Sequence, residues 1–194
     1  MKFVHVLLGV LVITVITTRA QAQTITAGLY ETADDFLKQK ITYPVDCSIS
    51  ADKLVVNNLL ESASGHVKSL GQKHRFYKVN FYGYRNCKNE NYRFDYKTAY
   101  RIVDTAGFFI YYRYIQSEPV KGKGLVKTDA YFFSTKADNN IQLLTLDNLK
   151  KAFPGNHSFQ YALDVQFRSD KDLAAWDAYQ KTYKVTYLYG QSLK

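Results

Sequence analysis

Several local signatures of catalysis are missing from this chain. It contains no G-x-S-x-G, and Ser64-Gly65 lacks the strand-to-helix setting that a nucleophile elbow requires. No H-E-x-x-H occurs, and His66, His74 and His157 are too dispersed to form a metal site by spacing. Asp138-Asn139-Asn140 begins like a calcium loop but lacks the later glycine and glutamate. No glycine-rich phosphate loop is present. The paired carboxylates Asp34/Asp35 and Asp170/Asp172 fall in expected first helical turns, where acids favour the helix dipole. The sequence therefore names no catalytic residue, no metal ligand and no cofactor. An enzyme here would have to assemble its site from scattered residues.

A membrane-spanning run is missing too. Phe3 to Ile16 is apolar but shorter than the about 20 residues that a span needs. With Lys2 before it and Ala20-Gln21-Ala22 after it, residues 1–22 read as a signal peptide. No cysteine follows the cleavage site, so a lipid anchor there is not supported. Residues 23–194 are expected to form a single exported domain, and loss of Lys2 and Arg19 lowers the net charge from +9 to +7.

Cysteine is scarce, with two in the chain, Cys47 and Cys87. An even count in an exported protein points to a disulfide. It would close a loop of about 40 residues and stabilise the fold by ~4 kcal/mol on a chain-entropy estimate. In ITYPVDCSI, the residues Ile41, Tyr43, Val45, Cys47 and Ile49 would share the buried face of one strand.

Aromatic residues are plentiful, with 17 Tyr and 12 Phe. Tyrosine buries a ring while its hydroxyl stays wet or paired, which suits thin β layers. They concentrate between Arg75 and Ile115. There Tyr77, Val79 and Phe81 alternate with Lys78 and Asn80, and Tyr92, Phe94 and Tyr96 with Arg93 and Asp95. Tyr100 and Ile102 flank Arg101, and Phe108 to Ile115 is apolar enough for burial on both faces. The short polar connections between these runs require antiparallel neighbours, hence a β-meander closed as a small barrel or stacked as a sandwich.

Charge is uneven along the chain. Residues 66–115 hold ten Lys/Arg against three acids, a local excess of +7. If every turn preserved phase, the odd-numbered Arg85, Arg93, Arg101 and Arg113 would share one face, and Tyr92, Phe94, Tyr100, Ile102, Tyr112 and Tyr114 would pack opposite. Such a face would attract a polyanion. Interleaved basic and aromatic residues also suit single-stranded nucleic acid, but the export signal argues against it and for an anionic envelope polymer or protein. A blander possibility is that these arginines are solvated and stack on neighbouring tyrosines.

Elsewhere, Thr32 to Asp35 reads as a capping box before a short helix. Further strands are expected at Lys53 to Asn57, Val67 to Leu70 and Leu125 to Ser134, with a loop at Ser117 to Gly124. Beyond Asn140 the apolar period lengthens to that of a helix. Thr145 caps a helix carrying Leu146, Leu149 and Phe153, and Asn156 caps another carrying Phe159, Leu163 and Phe167. Ser169 to Asp172 opens a third, with Leu173, Trp176, Tyr179, Tyr183 and Tyr187 on one side. The expected architecture is α+β, β-rich over 23–134 and helical over 145–188, with three short helices packed on the sheet.

GLYETADDF at 28–36, Asp46-Cys47, GYRNCKNENYRF at 83–94, and the tail running from LTLDNLKKAFPGNHSF to LDVQFRSDKDLAAWDAYQKTYKV resemble an uncharacterised family of small exported proteins from Bacteroidetes bacteria. The resemblance spans nearly the whole of residues 23–194, and the 83–94 segment is its most specific part. It implies a periplasmic or secreted location and supplies no catalytic residues. Two functional classes follow from the sequence. One is an exported, non-catalytic binding or envelope-associated module; the other is a hydrolase acting on envelope polymer.

Overall fold

The computed structural model describes residues 26–50, 53–56, 62–117 and 126–194. The expected signal segment, and residues 118–124 of the expected loop, lie outside them. In chain order the elements are β1 (Thr26–Tyr30), α1 (Ala33–Leu37), β2 (Thr42–Asp46), β3 (Lys53–Val55), β4 (Ser64–Ser69), β5 (Gln72–Tyr77), β6 (Gly83–Arg85), β7 (Asn91–Asp95), β8 (Thr98–Asp104), β9 (Phe109–Ser117), β10 (Val126–Ser134) and β11 (Gln142–Leu143). Then follow α2 (Leu146–Ala152), α3 (His157–Gln166), β12 (Trp176–Asp177), β13 (Thr182–Tyr183) and α4 (Lys184–Gln191). The fold is α+β.

The centre of the molecule is an eight-stranded antiparallel sheet in the order β11-β10-β9-β8-β7-β6-β1-β2. Strands β6 to β10 form the meander. Among the described residues β11 and β2 do not pair, so the sheet stays open rather than closing as a barrel. Two separate layers cover its front face. At one end the three-stranded sheet β3-β4-β5 packs Val67 and Phe76 against Ala27, Leu29, Tyr84 and Phe94. At the other, α2, α3 and α4 bury Leu149, Phe159, Leu163 and Val185 against Phe108, Ile110 and Phe133. On the back face Phe36 of α1 joins Tyr30, Tyr100, Phe109, Tyr111 and Ala137.

Local chemistry explains most boundaries. Thr32 Oγ1 accepts from Asp35 N at 3.0 Å while Asp35 Oδ2 accepts from Thr32 N at 3.2 Å, a reciprocal capping box. Thr145 Oγ1 caps Asn148 N, and Asn156 Oδ1 caps Phe159 N, so α2 and α3 begin where the sequence indicates. Cys47 and Cys87 form the disulfide, with Cα atoms 5.5 Å apart, and tie the end of β2 to the β6–β7 turn.

Three expectations fail, each for an identifiable reason. The first concerns the 41–49 strand. Its residues do not all share a face, because Tyr43 adopts φ 52° and the β1–β2 register shifts between Ala27 and Leu29. The bulge leaves Tyr43, Val45 and Cys47 on the front and sends Ile41 to the back. Ile41 Cγ2 then fills the space beside Gly28, whose φ of 152° and missing side chain make room for it.

The second concerns Tyr77 to Phe81, where a 3₁₀ turn at Lys78–Asn80 breaks the alternation. Phe76 and Lys78 point inward, leaving Tyr77 and Val79 exposed. The buried Lys78 donates from Nζ to Lys97 O at 2.7 Å and lies 5.7 Å from the Phe94 ring centre.

The third is the last helix. The box at Ser169 and Asp172 forms, but it opens only a 3₁₀ turn at Asp170–Ala174. Asp177 Oδ1 then accepts from Tyr179 N and Gln180 N, both at 2.9 Å, and bends the chain into the β12–β13 hairpin. The third helix, α4, begins only at Lys184.

Candidate functional site

The strand register separates the four candidate arginines. Across β7 and β8, Tyr92 lies opposite Arg101 and Arg93 opposite Tyr100; across β8 and β9, Arg101 lies opposite Tyr112. The β7–β8 connection has two residues, Tyr96-Lys97, so it places odd-numbered residues opposite even ones. Arg85, Arg93 and Arg113 therefore occupy the back face, and Arg101 stands alone on the front. Likewise Tyr100 and Ile102 face the back while Tyr92, Phe94, Tyr112 and Tyr114 face the front. A single face of four arginines does not exist.

Each of these arginines lies over a ring. Arg85 is 5.9 Å from the Tyr30 centre, Arg101 4.9 Å from Tyr112, and Arg113 5.4 Å from Tyr100. Arg93, 9% exposed, lies between Tyr82 and Tyr111 and donates from Nη1 to Tyr111 Oη at 3.0 Å and Ser134 Oγ at 3.4 Å. Its charge is committed to the interior.

Arg101 is placed differently. It belongs to a row of front-face residues that lie directly opposite one another on neighbouring strands: Tyr84, Tyr92, Arg101, Tyr112 and Tyr131. Tyr84 and Tyr92 stack at 4.6 Å, and Tyr112 and Tyr131 approach to 5.4 Å. The small sheet covers the Tyr84 end. At the other end Tyr183 approaches Tyr131 to 6.2 Å and carries Trp176 at 5.4 Å. Between these covers the front face is hollowed. One hollow of about 300 Å³ lies among Tyr92, Arg101, Tyr112 and Tyr114. A second, about 330 Å³, lies among Glu90, Arg101, Trp176 and Tyr183. Arg101 lines both, so the two hollows lie on either side of its side chain and are taken together as the candidate groove, each hollow one arm of it.

Polar groups of the groove are arranged in pairs. Arg101 Nη1 donates to Glu90 Oε1 at 3.0 Å, and Tyr92 Oη donates to Glu90 Oε2 at 3.1 Å. Tyr112 Oη donates to Asp129 Oδ1 at 2.9 Å. The Asn86 amide, with Tyr92 and Arg101, holds the Glu90 carboxyl below its usual range. Burial, reinforced by Glu90, pushes the Tyr92 phenol up to about 12. Burial also pushes Tyr183 up to about 12, and it raises Tyr112 together with hydrogen bonding to Tyr114 and Asp129. At neutral pH Tyr92 is therefore a neutral donor beside the ionised Glu90 carboxylate. One donor is left over: Arg101 Nε is buried with no acceptor among the described residues.

Sequence reasoning selected Arg101 but missed Glu90, Asp129, Trp176 and Tyr183. Asn86 and Asn91 mark the turn that holds Glu90. By contrast, no short-range signal places Trp176 beside it. Among the described residues no three His, Cys, Asp or Glu side chains gather as metal ligands, and no helix is long and apolar enough to cross a membrane. No family model, curated protein or solved structure matches the chain.

Proposed function

We propose that this is an exported, non-catalytic binding protein that holds an envelope component in the front groove. The observation that carries this reading is the pair of hollows that open along the row Tyr92, Arg101, Tyr112 between the two covering layers. Aromatic walls with a few convergent polar groups are the usual chemistry of a binding site. Its carboxylate supports binding over hydrolysis. A glycosidase needs a general-acid carboxyl that keeps its proton near neutral pH, whereas Glu90 is stabilised as the ionised acceptor. The N-terminal segment and the Cys47–Cys87 bridge support an oxidising, exported location.

A second reading, attraction of an acidic polymer, draws on the +7 excess of residues 66–115. Its exposed contributors include Lys73, Lys88 and Lys97, which lie outside the groove. The test is retention of residues 23–194 on immobilised envelope polymer fractions. Tyr112→Ala should abolish retention, and the triple change Lys73→Gln, Lys88→Gln, Lys97→Gln should leave it intact. Loss with the triple change and retention with Tyr112→Ala would reject the groove and favour the acidic polymer.

A further inference from the structure

Resting on the groove as the binding site, the geometry points to its ligand: we infer that it takes a linear, uncharged oligosaccharide whose sugars present an apolar C–H face, as β-1,4-linked pyranoses do.

The charge of the groove is the first argument. A polyanion site needs an uncompensated positive field. Here Arg101 is neutralised by Glu90 at 3.0 Å. Arg113, which also lines this hollow, places its guanidinium over Tyr100 on the back of the sheet. Asp129 adds a further carboxylate beside Tyr112. No positive excess remains to select an acidic chain.

The distribution of aromatic surface is the second. Tyr114 is 59% exposed in one arm of the groove and Trp176 is 56% exposed in the other. Both stand nearly edge-on to the ring behind them, Tyr114 at 74° to Tyr112 and Trp176 at 86° to Tyr183. Each thus offers a supported ring surface to a ligand. A sugar's C–H face carries partial positive charge and packs on the negative face of such a ring, as other edge-to-face contacts do. Two platforms with polar groups between them fit a chain of several sugars better than a single compact molecule.

The polar centre is the third. Sugar hydroxyls donate and accept at once, so they suit a site that mixes both roles. Glu90 and Asp129 are acceptors that already take one or more protein donors and retain further lone pairs. Arg101, whose side chain is 38% exposed, lines both hollows and carries five N–H donors, of which Nη1 serves Glu90.

The test uses residues 23–194 with cellohexaose, chitohexaose and xylohexaose as neutral probes and polygalacturonate as the acidic one, by titration calorimetry at low and high salt. The expected result is saturable binding of at least one neutral hexasaccharide. It should change less than threefold on going to high salt and weaken at least tenfold in both Arg101→Gln and Trp176→Ala. Circular dichroism and melting of each variant establish that it is folded. If no neutral hexasaccharide binds while the envelope fractions still retain the protein through Tyr112, the glycan assignment fails and the groove stands. If only polygalacturonate binds, and salt removes it, the ligand is a polyanion and the inference is overturned. If neither the hexasaccharides nor the envelope fractions bind, both proposals fall together.

Discussion

Arg101 and Tyr112 stand directly opposite each other on β8 and β9, with the guanidinium carbon 4.9 Å from the ring centre. The contact fixes the middle of the groove, because the same guanidinium is held from its other side by Glu90. A half-exposed cation–π pair is worth ~0.5–1 kcal/mol. A double-mutant cycle with Arg101→Gln and Tyr112→Leu should return a coupling energy of that size in denaturant unfolding. Strict additivity would show that the two side chains are merely adjacent.

Arg93 behaves differently from the other arginines because it is buried. Its Nη1 serves both Tyr111 and Ser134, whose hydroxyls are themselves 2.8 Å apart. Arg93→Gln is expected to destabilise by about 2–4 kcal/mol, since it strands buried polar partners. The same change at the exposed Lys88 should stay within about 0.5 kcal/mol. Equal melting temperatures for the two variants would contradict the placement of Arg93.

The Cys47–Cys87 bridge ties the edge strand β2 to the β6–β7 turn, across a sequence separation of 40. Replacing both cysteines with serine should cost about 2–5 kcal/mol and lower the urea midpoint without changing the number of bound ligands. An unchanged midpoint would remove the bridge from the account of stability.

Glu90 predicts a pH dependence. Its carboxyl is held below 4.5 in the folded protein, chiefly by Asn86. The unfolded chain therefore binds more protons than the folded one as pH falls through this range. Stability contributed by Glu90 is full above about pH 4.5 and declines as pH drops through the folded value. Glu90→Gln should flatten the fall in melting temperature between about pH 5 and pH 3. Asp35 and Asp46, also held low, keep part of the slope in the variant. Parallel curves for the two proteins would mean that Glu90 gains nothing from its partners.

Much of the architecture could be read from residues alone. Strand alternation, the caps at Thr32, Thr145 and Asn156, and the paired cysteines are all local or nearly local signals. The candidate site was legible only in part, for a geometric reason. Which face a strand residue occupies depends on the parity of each turn. Tyr96-Lys97 makes a two-residue turn, with Tyr96 at φ 51°, without the Asn-Gly or Asp-Gly pair that normally announces one. That one turn moved Arg101 away from Arg85 and Arg93 and put it among tyrosines. Trp176 was hidden for a related reason. Its helical spacing with Leu173 and Tyr183 is real, but Asp177 bonds locally to the backbone and diverts the chain into a hairpin. Lys78 belongs to the same group: whether it points inward is set by a 3₁₀ turn that the alternating pattern does not announce.

Trp176 is the only tryptophan in the chain and lies in the wall of the groove, so its fluorescence reports on the site directly. Titrating residues 23–194 with the envelope polymer fraction that retains the protein should shift this emission to shorter wavelength and saturate, and Tyr112→Ala should abolish the shift. Retention of the protein with no change in Trp176 emission, or an equal shift in Tyr112→Ala, would place the binding surface elsewhere and contradict the groove.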